Sequence, residues 1–128
     1  MSAILVVEDD PEVRELIARA LEAEGLTVVL ASDGQEAWGL VEEGNGPFAV
    51  MIVDSLMPRC DGPTFIRRVR GRRPRQRFLV ISGRVDQDVR TGVPSDIPDL
   101  MKPFSPSELV SEVRTQLGAA SRRAPVDP

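Results

Sequence analysis

The chain has no histidine, no tyrosine, one tryptophan and one cysteine, and aromatic residues make up only 4% of it. With so few aromatics, none is interleaved with the basic residues, as stacking on nucleic-acid bases would require. The single cysteine, Cys60, cannot form an internal disulfide, which is compatible with a reducing compartment. No apolar stretch approaches the length of a bilayer span, and the N-terminus lacks the basic region, long apolar core and cleavage site of a secretory signal. The expected setting is the cytoplasm, away from membranes. There is no internal repeat, and no Ser/Thr/Gly-rich phosphate loop follows the first apolar run, which argues against a flavin carrier.

What remains is ordinary for one soluble domain of 128 residues, with 41% apolar and 28% charged residues. The net charge of −4 makes nucleic acid a poor default partner. Basic residues are unevenly spread, however: Arg67, Arg68, Arg70, Arg72, Arg73, Arg75 and Arg77 crowd one segment. The sequence reading of that segment is a solvated helix end and loop, since cations favour a helix C-terminus.

The run from Ala49 to Val53 is apolar, partly β-branched and closed by Asp54, with Pro58 soon after. Such a run predicts a fully buried strand, from about Phe48, with Asp54 at its carboxyl end. Ala3 to Val7 ends the same way on Glu8, Asp9 and Asp10. Leu26 to Ala31 and Phe78 to Ile81, the latter ending on Ser82, predict two further strands, and Ile97 to Met101 a weaker fifth leading into Lys102. Between them lie helical patterns. Asp10 and Pro11 read as N-cap and first helical position, followed by a stripe of Val13, Leu16, Ile17, Ala20 and Leu21, with Gly25 as terminator. Asp33-Gly34 opens a second helix carrying Ala37, Leu40 and Val41, and about Pro63 to Arg70 a third carrying Phe65, Ile66 and Val69. Asp61-Gly62 before it reads as turn chemistry. Residues 86 to 90 predict at most a short helix before Gly92, Pro94 and Pro98 interrupt. Ser105-Pro106 opens a last helix with Leu109, Val110, Val113 and Leu117 on its buried side. Beyond Gly118 the chain has too little apolar content to fold and reads as a tail or linker over 119–128, leaving 1–118 as the domain.

Strands alternating with helices predict a doubly wound α/β domain, and at this size the flavodoxin-like order 2-1-3-4-5 of five parallel strands. That order makes the first and third strands neighbours. Glu8, Asp9 and Asp54 then gather at the switch point, with Ser82 and Lys102 on the same edge. Crowded carboxylates repel, so either some take up protons or a cation sits among them. A hard divalent ion with oxygen ligands suits such a site, and Mg²⁺ is the default. Lys102 is the only lysine among 16 basic residues. An ammonium binds a phosphoryl group as a point charge, where arginine's planar fork demands other geometry.

Glu8-Asp9 after Val6-Val7, Asp54 with Pro58 and Gly62 beyond it, Ser82, and Lys102-Pro103-Phe104 together resemble the receiver domain of two-component response regulators, over about residues 3 to 118. The resemblance implies that Asp54 accepts a phosphoryl group from a phosphohistidine on a sensor histidine kinase or a histidine phosphotransfer protein; with no histidine in this sequence, the donor must come from elsewhere. It implies Asp9 and Asp54 as direct Mg²⁺ ligands, Glu8 acting mainly through a bound water, and the backbone carbonyl of Leu56 completing the set. Ser82 becomes the switch hydroxyl and Lys102 the ion-pair partner. A downstream protein target is implied as well, with the chain a monomer or weak dimer that binds no nucleic acid directly.

The pattern departs from the family at Asp99, where an aromatic usually stands, and at Gly83, Leu56 and Arg84. Asp99, with Gly92, Pro94 and Pro98, places the expected output surface on the first and last helices or on residues 84 to 98. A pseudo-receiver serving only as an interaction module would not require the intact acids, Ser82 and Lys102. A metal-dependent phosphatase with an aspartyl nucleophile would want a carboxylate two residues after Asp54, where Leu56 stands. Cys60, near the site, reads as an incidental thiol.

Overall fold

The computed structural model describes residues 3–57, 60–83 and 92–126. The elements run β1 (Ala3–Val7), α1 (Pro11–Glu22), β2 (Val28–Ala31), α2 (Gly34–Glu42), β3 (Phe48–Asp54), α3 (Gly62–Arg72), β4 (Phe78–Ser82), β5 (Asp99–Met101) and α4 (Pro106–Val126). The strands form one parallel sheet in the order β2-β1-β3-β4-β5, the flavodoxin-like arrangement expected from the sequence.

Both faces of the sheet are covered, which explains why its central strands are apolar throughout instead of alternating. Leu5, Val7, Met51, Val53 and Val80 face one core with Phe65, Ile66 and Val69 of α3. Their neighbours Ile4, Val6, Val50, Ile52, Leu79 and Ile81 face the other, against Ile17 and Leu21 of α1 and Leu109 and Val113 of α4. Leu16, which the helical spacing placed in the α1 stripe, stands 41% exposed at its edge.

Side chains fix the helix starts. Asp10 accepts from the Glu12 N–H at 2.9 Å, Asp33 from the Glu36 N–H at 2.8 Å and Asp61 from the Thr64 N–H at 2.8 Å. Asp61 is therefore the N-cap of α3, a more specific role than the turn its sequence suggested. Ser105 and Glu108 form a reciprocal capping box, each side chain accepting from the other's backbone N–H. Gly25 closes α1 at a φ of 79°, and the following Leu26 N–H returns to the Leu21 carbonyl. That N–H is spent on the helix end, so β2 starts at Val28 and not at Leu26. For a similar reason β5 is short: Ile97 donates to Pro94 in a turn and Pro98 has no N–H to give.

Gly62 sets how closely α3 approaches the sheet. A Cβ there would sit 2.9 Å from the Asp54 carbonyl and 3.0 Å from Ser55 Cα. Its absence lets the first turn of α3 close onto the end of β3. The helix expected over residues 86–90 lies outside the described residues.

Candidate functional site at the carboxyl edge of the sheet

The site is built where four strands end. β1 and β3 are paired through Val7 and Val53, so Glu8 and Asp54 emerge side by side. Asp54 pairs with Ile81 in the β3–β4 ladder, which sets Ser82 one residue further along the same edge. The Lys102 N–H donates to the Ser82 carbonyl at 2.8 Å, tying the end of β5 to that of β4, and the Lys102–Pro103 peptide is cis.

Glu8 is fully buried and Asp54 is 4% exposed, whereas Asp9 faces solvent. One carboxylate oxygen from each of Glu8, Asp9 and Asp54 lies within 4.8 Å of the others. Lys102 Nζ bridges the two buried acids, 3.2 Å from Glu8 Oε1 and 3.4 Å from Asp54 Oδ2. Asp54 Oδ1 accepts from the Leu56 N–H at 3.2 Å, and Glu8 Oε2 from the Asp10 N–H at 3.1 Å. Glu8 Oε1, though at ion-pair distance from the ammonium, is buried and accepts no hydrogen bond.

One cation serves two buried anions, and the proton equilibria record the shortfall. Burial, reinforced by the neighbouring Asp54, pushes the Glu8 carboxyl up to about 8. Burial also raises Asp54, although hydrogen bonding with Glu8, the charge of Lys102 and the Leu56 N–H all pull the other way. Lys102 loses solvation by burial, yet the charges of Asp54 and Glu8 outweigh that loss and hold its ammonium above the usual lysine range. A second cation with oxygen ligands answers both the excess negative charge and the orphaned Glu8 Oε1. The residues present therefore fit a hard divalent ion.

The structure thus brings Glu8, Asp9, Asp54 and Lys102 together and sets Ser82 and Leu56 on the same rim. Cys60 is half-buried, its backbone and side chain closing over Gly34. Pro58 and Arg84 lie outside the described residues. Two supports were missed by sequence reasoning. Arg14 donates to the Glu8 carbonyl at 2.9 Å and steadies the β1–α1 loop. Gly62 was noted as part of a spacing and of a turn, and the close approach that requires it appears only once α3 is packed against β3.

The model of the response regulator receiver domain family matches residues 4–114. The chain is 36% identical over 118 residues to the sensor kinase CckA of Brucella abortus strain 2308, covering 91% of this chain and 12% of that protein. It is 33% identical over 122 residues to the response regulator receiver protein CpdR of the same strain, covering 94% of this chain and all of CpdR. Among solved structures, the receiver domain of the hybrid histidine kinase CckA superposes with a TM-score of 0.76 at 34% identity, over 90% of this chain and 98% of that one. The chain spans about half or less of the length of several curated relatives it matches. Among the described residues no helix is long and apolar enough to cross a membrane.

Proposed function

The chain belongs to the response regulator receiver domain family, and on that footing we propose that it is a phosphorylation-dependent switch that takes a phosphoryl group on Asp54. The observation that carries this reading is the placement of the Asp54 carboxylate. It is buried at the end of β3, with Oδ1 held by the Leu56 N–H and Oδ2 facing the Lys102 ammonium.

As family membership implies, the donor is a phosphohistidine on a sensor histidine kinase or histidine phosphotransfer protein; these 128 residues contain no histidine that could carry it. An Asp54 oxygen attacks phosphorus, the P–O bond forms as the P–N bond breaks, and the electron pair of the broken bond stays with the donor imidazole. Lys102 already lies within reach of Asp54 and offers its charge to the incoming oxygens. Ser82, on the same rim, supplies the hydroxyl that responds to the phosphoryl group. Asp9, Asp54 and the Leu56 carbonyl are the groups that would hold Mg²⁺, with Glu8 acting mainly through a water. Bound there, the ion neutralises charge on the transferred phosphoryl group. The protein catalyses only its own phosphorylation and dephosphorylation, and it passes the signal to a downstream protein target. The setting is cytoplasmic and the protein a monomer or weak dimer. The domain extends to about Gly118, with 119–128 as a tail or linker into which α4 continues as helix as far as Val126, against the expectation that this stretch would not fold; the family match ends at 114, and among the residues whose burial is described the last buried side chains are Val113 and Gln116.

The test is intact mass after incubation with acetyl phosphate, with and without Mg²⁺, on the native chain and on Asp54→Asn. The expected result is a Mg²⁺-dependent gain of one phosphoryl group that the variant lacks. If neither acetyl phosphate nor a phosphorylated histidine donor produces a gain, the phosphorylation reading is wrong and the chain is an interaction module. Continuous phosphate release with no trapped adduct would instead mark a phosphatase.

A further inference from the structure

The segment 62–77 carries seven arginines and no acidic residue, in a chain whose net charge is −4. All seven have a contact within the fold, Arg67 through the Thr64 hydroxyl of its own helix. Arg70 makes a two-pronged contact with Asp96, at 3.0 and 2.9 Å, and also reaches the Gln76 carbonyl. Arg73 donates to the Asn45 carbonyl at 2.8 Å. Arg75 and Arg77 are also engaged. The other three, Arg67, Arg68 and Arg72, are exposed on α3.

Arg68 and Arg72 are one helical turn apart, and both lie over the same ring. Their guanidinium carbons sit 4.3 and 5.2 Å from the centre of Trp38, the only tryptophan, which reaches across from α2. Among the described residues the one ion pair either makes is Arg72 with Glu42, at 3.9 Å and with both side chains more than half exposed. Like charges four residues apart on a helix repel. Stacking on Trp38 offsets that repulsion and fixes the two forks in place, so less side-chain freedom is lost when they bind. The result is a pair of oriented, largely unneutralised guanidiniums beside a third at Arg67. The patch is on the later turns of α3, away from the Asp54 end of that helix.

We infer that this α2–α3 edge is a docking surface for an acidic segment of a partner protein, whose carboxylates are taken by Arg68 and Arg72. Carboxylates match the planar forks in geometry as well as charge. Nucleic acid matches less well, because the one aromatic here already carries two guanidiniums and a base would have to displace them to stack. The surface stands apart from the acidic pocket and does not depend on phosphorylation.

The test uses the full chain and a fluorescein-labelled peptide of glutamates, followed by anisotropy at low salt, with Trp38 emission as an independent report from the patch itself. Binding that weakens with salt and shifts Trp38 emission with the same midpoint is expected. The double variant Arg68→Gln with Arg72→Gln should weaken it by about tenfold or more. Arg68→Lys with Arg72→Lys, which keeps the charge but loses the forks, should weaken it by a smaller factor, and Arg19→Gln on α1 should leave it unchanged. Absence of binding at low salt, or binding indifferent to the double glutamine variant, would overturn the proposal. So would a labelled oligothymidine bound as tightly as the peptide or tighter, since that would mean general polyanion attraction or a nucleic-acid surface.

Discussion

At the carboxyl edge of the sheet three carboxylates crowd together and two of them share one ammonium, while along α3 and the loop after it seven arginines follow one another with no acid between them. Both regions crowd charge of one sign. In the pocket, Glu8 and Asp54 have almost no contact with water, so their repulsion is scarcely screened and appears as displaced proton equilibria and an oxygen with no hydrogen bond. On α3 the guanidiniums stay near solvent and settle on aromatic rings, carbonyls and one aspartate, each contact worth little by itself. Crowded charge thus displaces proton equilibria only where it is also desolvated; at the surface the same crowding is screened and leaves the side chains charged.

This contrast between buried and exposed charge is most open to challenge at Lys102. Replacing it by Met leaves two buried carboxylates facing each other, and without divalent cations this should cost about 2–3 kcal/mol of stability at pH 8. Chemical denaturation would measure it, and the loss should shrink at pH 5, where Glu8 is protonated. An equal loss at both pH values would show that Lys102 acts through packing and not through charge.

The same pocket can be probed through pH alone, with the sign set by linkage. Glu8 is held at about 8 in the folded protein against 4.5 in its ordinary state. Between those values the folded chain holds a proton that the unfolded chain has lost. The stability of the metal-free protein should therefore fall as pH rises from about 4.5 through 8. Melting temperatures in a chelator should show that slope, and Glu8→Gln should flatten it. Added Mg²⁺ should raise the melting temperature more at pH 8.5 than at pH 6, because its ligands must be deprotonated.

Much of the pocket was legible because its residues are punctuation in the sequence: an acid where an apolar run stops, and one lysine in a chain that otherwise uses arginine. Strand order followed from alternation and right-handed crossovers, and it alone brought Glu8 beside Asp54. What was not legible depends on contacts between distant residues. Nothing near Arg68 in sequence announces Trp38, thirty positions earlier, and the aromatic absent from the arginine segment turns out to come from α2. Nor does local pattern show that the Leu26 N–H is drawn back to α1, or that Asp61 caps a helix instead of only turning the chain. The arginines were read as a solvated helix end; the exposure is real, but Arg68 and Arg72 reach Trp38, Arg70 reaches Asp96 and Arg73 reaches Asn45, each distant in sequence.

The weakest expected effect lies on the surface side, at Arg70 and Asp96. Their geometry is the best of any ion pair on α3, two-pronged and joining the helix to the turn that precedes β5. Yet the Asp96 side chain is 57% exposed, so solvent screens most of the attraction. Hydrogen bonding to Arg70 holds the Asp96 carboxyl below its ordinary range, so the contact stabilises the fold above about pH 4 and is lost as pH falls through the lowered value. Asp96→Asn should cost about 0.5–1 kcal/mol at pH 7 and nothing once the native carboxyl is protonated. Hydrogen exchange would locate that loss: the Ile97 N–H, which bonds to the Pro94 carbonyl, should exchange faster while the centre of β3 is unaffected. If the substitution instead cost as much as Lys102→Met, exposure would not be what separates the two regions, and the arginine edge would have to be counted with the core.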